Sequence, residues 1–462
     1  MQIAAALVLL MLAIAYSVKS FQGTATFKDV VLAASLMWPV AVVFYGPLLD
    51  LRNPVWIVLG GLAILWIFKW QRSIILQLWP VVIFFVYMMT ASLWAVNGVE
   101  SAMRTIGNTL LMVYVAAQVR TRSPQQTLSR TFDMLTIVSF GILTLLLWGA
   151  TQEGLSLSRR FRMDEIGLKA TGIASFALTA LIVLGGRAFK EKGVKRLALL
   201  ALSGFALALM VLTQTRGTLF AFIGVIAFLA LFQGKSQGQT RDVILYLMIL
   251  SSLALFSFMP DVLDRYLGNA ATYFRLESET ELLDDPEGWA GRFDLWNYAL
   301  EKAAERPFLG RGTGSSTFAI VPDVVFASRS STAGLPYATV HSQYVETYYD
   351  HGLVGLGVLI VILLWITWAA IKAFRNPPPG LETETRTLAL LWITTPIGMI
   401  THGGYFSSGN PHRMWLWMAG LAMVYVRQYA VEQRAQIAPP PLQRGYRKFD
   451  AKALRNPMGR SM

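Results

Sequence analysis

The sequence predicts an all-α polytopic membrane protein of about 12–13 transmembrane helices with one large, partly helical extracytoplasmic loop. Three observations carry this. First, 55% of the 462 residues are hydrophobic and only 15% are charged, against roughly 25% charged in an ordinary soluble domain, and the mean hydropathy is +0.49. A soluble chain with this composition could not cover its surface with polar groups. Second, windows of ~17–25 residues nearly free of charge, the length of helix that crosses ~30 Å of hydrocarbon, recur along the whole chain. Third, the Lys and Arg residues collect in alternate short loops, as cytoplasmic loops do.

In chain order the windows fall near 2–18, 29–48, 54–68, 74–95, 104–119, 132–150, 168–186, 197–213, 217–233, 243–260, 352–371, 387–403 and 413–427. The one at 54–68 is the weakest. The first is followed by Lys19 rather than by a small-residue cleavage site, so it reads as a retained helix. Lys69 and Arg72, then Arg120, Arg122 and Arg130, then Arg187, Lys190, Lys192, Lys195 and Arg196, then Lys235 and Arg241, and finally Lys372 and Arg375 mark the cytoplasmic loops. Arg159, Arg160 and Arg162 break the alternation. The parity of the spans, and with it the side of the N-terminus, stays open. Four regions result: transmembrane helices over 1–260, an extracytoplasmic loop over 261–351, C-terminal transmembrane helices over 352–428, and a basic cytoplasmic tail over 429–462. The Pro439–Pro441 run and the many Arg and Lys residues of that tail suit a disordered segment facing anionic lipid.

The 261–351 segment holds about half of the chain's 27 acidic residues, and a long ordered loop on an otherwise minimal membrane protein is usually functional. Residues 292–304 read as an amphipathic helix with Phe293, Trp296, Leu300 and Ala303 on one face. Pro307 and the glycines at 310, 312 and 314 end it.

The candidate chemistry gathers on the outer side. Arg216 stands in a short break between two spans, where positive residues are normally depleted. It is either an interfacial arginine whose charge snorkels to water or a planar five-donor group aimed at phosphate. The cluster at 159–162 invites the same two readings, without a surrounding motif. Arg292 opens the loop helix, either as a solvated residue paired with Asp294 or as a second phosphate clamp. The chain's 4 histidines are His341, His351, His402 and His412, and all fall near the outer boundary. His402 and His412 read as interfacial polar residues. His341 lies where a helix begins. A helix N-terminus disfavours an imidazolium, and a neutral imidazole is what a general base needs. Glu346 and Asp350 follow on the same segment and either orient a base or are solvated. With no cysteine and no two histidines at helical ligand spacing, no metal site is expected. The acidic patch of Asp284, Asp285 and Glu287 is interrupted by Pro286 and lacks calcium-loop spacing. The glycine run does not open a lysine-bearing phosphate loop, so neither nucleotide nor nucleic acid is an expected partner. No cofactor is expected.

Three segments carry a family resemblance. Residues 291–315, GRFDLWNYALEKAAERPFLGRGTGS, are similar to the R-x-x-x-W…P-x-x-G-x-G stretch of the O-antigen ligase / O-antigen polymerase superfamily. Residues 341–359, HSQYVETYYDHGLVGLGVL, resemble its H-[SN]-x-x-[LV]…G-[LI]-x-G signature. Residues 214–217, QTRG, resemble its [ST]-R-[GA] helix-end motif. The resemblance implies a GT-C-like membrane glycosyltransferase at the bacterial inner membrane, with its active site facing the periplasm. The donor would be a glycan on undecaprenyl pyrophosphate. The acceptor would be lipid A–core for a ligase, or a second lipid-linked glycan for a polymerase, with a slight lean to ligase. By the same resemblance, Arg216 and Arg292 would hold the pyrophosphate, and His341 would activate the acceptor in an inverting, metal-independent transfer. Glu346, Asp350 and Arg311 are further candidates for a supporting role. Two other classes stay open. A transporter would show charges at mid-bilayer and an internal repeat. A non-catalytic envelope scaffold would leave Arg216, Arg292 and His341 apart.

Overall fold

The computed structural model describes residues 14, 15, 19, 52–70, 78–120, 123–153, 161, 163, 170–213, 215–232, 289–316, 340–403, 405 and 411–437. The windows at 29–48 and 243–260, most of the window at 2–18, the arginines at 159, 160 and 162, the acidic patch at 284–287 and the tail from 438 onward lie outside them. So do the side chains of Arg216, Phe293, Arg292 and His412.

Among the described residues the chain is helical, without a strand. The helices are α1 Arg52–Trp70, α2 Trp79–Ala91, α3 Gly98–Arg120, α4 Pro124–Glu153, α5 Ala170–Lys190, α6 Gly193–Leu212, α7 Arg216–Phe232, α8 Trp289–Ala304, α9 Gln343–Arg375, α10 Glu382–Thr401 and α11 Pro411–Ile437. Ten of the expected windows therefore coincide with helices, the weak one at 54–68 included. Four of these helices (α4, α5, α6 and α9) are both long and apolar enough to cross a membrane by length and composition. The protein is an all-α polytopic membrane protein.

Helices α9, α10 and α11 pack on one another, and α10 also meets α5 and α7. Inside a bilayer such packing rests on van der Waals fit and interhelical hydrogen bonds, because lipid is as apolar as the side chains. Trp392 of α10 shows both. It is fully buried, its ring lies 5.3 Å from that of Trp417 on α11, and its Nε1 donates to Thr367 Oγ1 of α9 at 3.1 Å. Gly420 of α11 leaves the room for it, since any Cβ there would overlap the Trp392 ring.

Charged residues mark one end of the bundle. Arg187 pairs with Asp133 at 2.8 Å, and Lys190 pairs with the buried Glu384. Lys372 and Arg375, at the far end of α9, sit over the Trp368 and Phe232 rings. The chain runs from this end to the opposite one through α6 and back through α7, and likewise out through α10 and back through α11.

Two expectations are refined. The loop helix is α8, Trp289–Ala304, three residues longer than expected at its start. Its buried side is Ala299 and Ala303 with the part-buried Trp296, packed against Val340 and Tyr349, whereas Leu300 is exposed. The last helical group also begins at Gln343 rather than at 352: α9 runs through 352 with a break, Gly352 standing at φ 63° and ψ −164°. Ser342 caps this helix by accepting from Val345 N at 3.5 Å, so helix begins nine residues before the hydrophobic stretch does.

Candidate functional site

His341 is the residue immediately before that cap. Its backbone adopts φ 55°, the one left-handed non-glycine conformation among the described residues. Such a conformation costs about 1–2 kcal/mol for a side chain with a Cβ, and it persists only where the surroundings hold it. Here both flanks are held. On the N-terminal side, Val340 is buried and its carbonyl accepts from Trp296 Nε1 at 2.7 Å. On the C-terminal side, Gln343 N donates to His402 O at 3.1 Å, and the buried Gln343 side chain accepts from Tyr405 N at 2.6 Å. Tyr344 donates to Pro396 O at 2.9 Å. The His341 side chain itself is exposed.

These ties connect the three residues singled out in the sequence. Trp296 lies one turn after Arg292 on α8, so the Arg292 helix is fastened to the residue preceding His341. Arg216 is the first residue of α7, and Gly217 beside it is packed on His402: a Cβ at 217 would overlap His402 Cε1 and Thr401 Oγ1 and lie 2.9 Å from His402 Nδ1. Gly403 then faces the His341 turn, where a Cβ would lie 2.5 Å from Glu346 Oε2 and 3.9 Å from His341 N. The start of α7 and the His341 turn thus meet at residues 402–403, and α8 is tied to that turn through Trp296 and Val340. His402, Tyr405, Gly217 and Thr218 line a small cavity there with Ser175, Thr179 and Thr394. Glu346 belongs to this group. His402 does as well, which the sequence could not show: it stands 61 residues from His341 in the chain, at the end of an apolar span, with no pattern around it.

Asp350, Arg311 and His351 belong to a second construction, in which the loop 307–316 is docked onto the break in α9. Asp350 is buried, and its two carboxylate oxygens accept from Ser316 N at 2.7 Å and Gly314 N at 2.8 Å. Backbone bonds join the same pieces: Arg311 N to Tyr349 O at 3.0 Å, Gly312 N to Asp350 O at 2.8 Å, Leu353 N to Pro307 O at 2.7 Å and Val354 N to Phe308 O at 3.2 Å. The Thr313 hydroxyl donates to Met88 O at 2.7 Å, which leaves its oxygen to accept from His351 Nε2 at 3.0 Å. Tyr87 donates to His351 O at 2.8 Å. Arg311 pairs with Glu305, whose carboxyl it holds below the usual carboxylate range. Its Nε donates to Lys302 O at 3.2 Å. These side chains are engaged with the protein and brace the loop.

The glycines of both sequence patterns are what this docking requires. A Cβ on Gly310 would overlap the Asp350–His351 peptide, one on Gly312 would overlap Ala95, and one on Gly352 would overlap the Phe308 carbonyl. Patterns that suggest a phosphate loop or a signature of chemistry are, in this fold, the contact of one backbone with another.

The model of the family described as O-Antigen ligase matches residues 199–360. That stretch spans Arg216, Arg292, the docked loop and His341. Over that stretch, about a third of its length, the chain is similar to the O-antigen ligase family. The resemblance carried by the three sequence segments is borne out over this stretch. An uncharacterized protein of Haemophilus influenzae is 31% identical to this chain over 118 residues, which is 25% of this chain and 27% of that protein. The chain thus matches about a quarter of the length of that relative.

Proposed function

We propose that this protein is a member of the O-antigen ligase family and moves a glycan from undecaprenyl pyrophosphate to a sugar hydroxyl at the periplasmic face of the bacterial inner membrane, as a ligase acting on lipid A–core. The observation that supports this reading best is the strained turn at His341, which is fastened to the Arg292 helix through Val340 and to the Arg216 helix through His402. A backbone held in that way fixes the point from which the His341 side chain projects, and positioning is a large part of what a catalytic group contributes.

In the proposed reaction the His341 imidazole accepts the proton of the acceptor hydroxyl. The acceptor oxygen bonds to the anomeric carbon from the face opposite the pyrophosphate. The bond from that carbon to the phosphate oxygen breaks, and undecaprenyl pyrophosphate leaves. Inversion follows from the opposite-face attack. Arg216 and Arg292 hold the charge that develops on the leaving group, a role suited to preorganised guanidinium groups. Because the donor keeps its polyprenyl tail in lipid, a site at a membrane surface is the place where both substrates can meet. The cytoplasmic C-terminus and the periplasmic site follow from the charge alternation of the loops.

The test is transfer by the purified protein from a lipid-linked glycan, with lipid A–core and a second lipid-linked glycan offered as separate acceptors. Product on lipid A–core alone is expected. Product only on the second lipid-linked glycan would make the protein a polymerase, and no product on either would overturn the reading. Transfer is expected to survive excess EDTA; a loss restored by magnesium or manganese would show that the arginines do not suffice as charge carriers.

A further inference from the structure

We infer that His402 is a positioning residue for this reaction, holding the start of the Arg216 helix and the His341 turn in one fixed relation. The inference rests on the function proposed above. His402 is the point where the two meet. Its ring is the surface on which Gly217, the neighbour of Arg216, is packed, and its Nδ1 lies 3.0 Å from Thr401 Oγ1. Its carbonyl receives Gln343 N, two residues after His341. The ring and the carbonyl of one residue therefore address the two halves of the site.

Three features make the joint stiff. His402 N donates to Gly398 O at 3.0 Å, so the residue continues directly from the last turn of α10. Tyr405 N is bound to the buried Gln343 side chain, and Tyr405 O accepts from Trp417 Nε1 of α11 at 3.1 Å, which anchors the segment beyond His402 to the bundle. Gly217 has no side chain to yield, so the ring meets backbone. A contact of ring on backbone transmits a displacement of either partner to the other, because well-packed groups do not deform continuously. His402 needs no contact with substrate to act in this way. An error of about 1 Å in placing the donor's phosphates relative to the base is enough to lower turnover roughly 10²-fold.

A double-variant cycle tests this, read as kcat and KM for the lipid-linked donor beside thermal unfolding of each purified variant. Gly217→Ala places a methyl where the His402 ring lies and is expected to lower kcat by roughly 10²-fold. His402→Ala is expected to lower kcat about tenfold with little change in unfolding temperature. His402→Asn, which keeps a polar atom near the Nδ1 position, is expected to recover most of the loss. Gly217→Ala combined with His402→Ala is expected to exceed Gly217→Ala alone, because removing the ring relieves one of the two overlaps and gives the Thr401 side chain, the other, room to turn away. Should wild-type protein transfer glycan while His402→Ala matches it in kcat, the inference falls and the proposed function stands. The inference also falls if the double variant is as poor as the product of the two single losses, or if His402→Ala lowers unfolding temperature while kcat per folded molecule is unchanged. Absence of transfer by the wild-type protein would bring down both.

Discussion

Gly352→Ala should unfasten the docked loop, and the size of the effect can be worked from the geometry. At φ 63° and ψ −164° the backbone occupies a region open essentially to glycine alone, at a cost of about 1–3 kcal/mol for any other residue. The new Cβ would also overlap the Phe308 carbonyl carbon and oxygen and lie 2.7 Å from Leu309 N. Those atoms are backbone and cannot swing aside as a side chain would. The Phe308 carbonyl accepts Val354 N at 3.2 Å, and Pro307 O next to it accepts Leu353 N at 2.7 Å. Moving the strand of loop away sacrifices both bonds, at about 1 kcal/mol each. The sum is roughly 3–5 kcal/mol, concentrated at one contact. The consequence should therefore be local: α8 and the 307–316 loop come away from α9 before the bundle itself unfolds. Hydrogen exchange in detergent micelles reads this directly. The amides of Gly312, Gly314, Leu353 and Val354 should exchange much faster in the variant, with the amides of α5 and α10 unchanged. Wild-type protection at those four amides in Gly352→Ala would refute the steric account of this signature glycine.

Asp350→Ala removes two hydrogen bonds of about 0.5–1.5 kcal/mol each and should expose the 312–316 loop to limited proteolysis. Asp350→Asn, which keeps one acceptor, should lose about half as much; loss of transfer with an intact, protected loop would instead place Asp350 in the chemistry. His341→Ala should lower transfer by about 10²–10⁴-fold, the contribution of a positioned base, with lipid-linked donor binding retained. Loss of donor binding together with turnover would make His341 a donor ligand. Arg216→Ala and Arg292→Ala should weaken donor binding as well as turnover, and lysine at either position should restore part of the loss, because it keeps the charge without the bidentate fork. Equilibrium binding of the lipid-linked donor to each variant checks this, and full rescue by lysine would argue against bidentate phosphate contacts.

Much of this protein was legible in the sequence. Hydrophobic windows set by bilayer thickness are local, so α5, α6, α7 and α10 could be placed within a few residues, whereas α3, α4, α9 and α11 run well past their windows at one end. Loop arginines and lysines record which ends share a side, and Arg187, Lys190, Lys372 and Arg375 do lie at the end of the bundle opposite His341. Motif spacing pointed to His341, and the left-handed turn there gives the residue a physical distinction that its surroundings enforce. What the sequence could not decide was which residues are engaged with the protein and which face the site. Asp350 and Glu346 are four residues apart on one segment and looked equivalent. The tertiary structure separates them, because the loop amides of Gly314 and Ser316 fold back onto one carboxylate while the other faces Gly403 beside the His341 turn. His402 carried no pattern at all. Its role depends on Gly217 being brought against it by the packing of α7 on α10, a contact between residues far apart in the chain, and no local rule of composition, periodicity or capping reports on contacts of that kind.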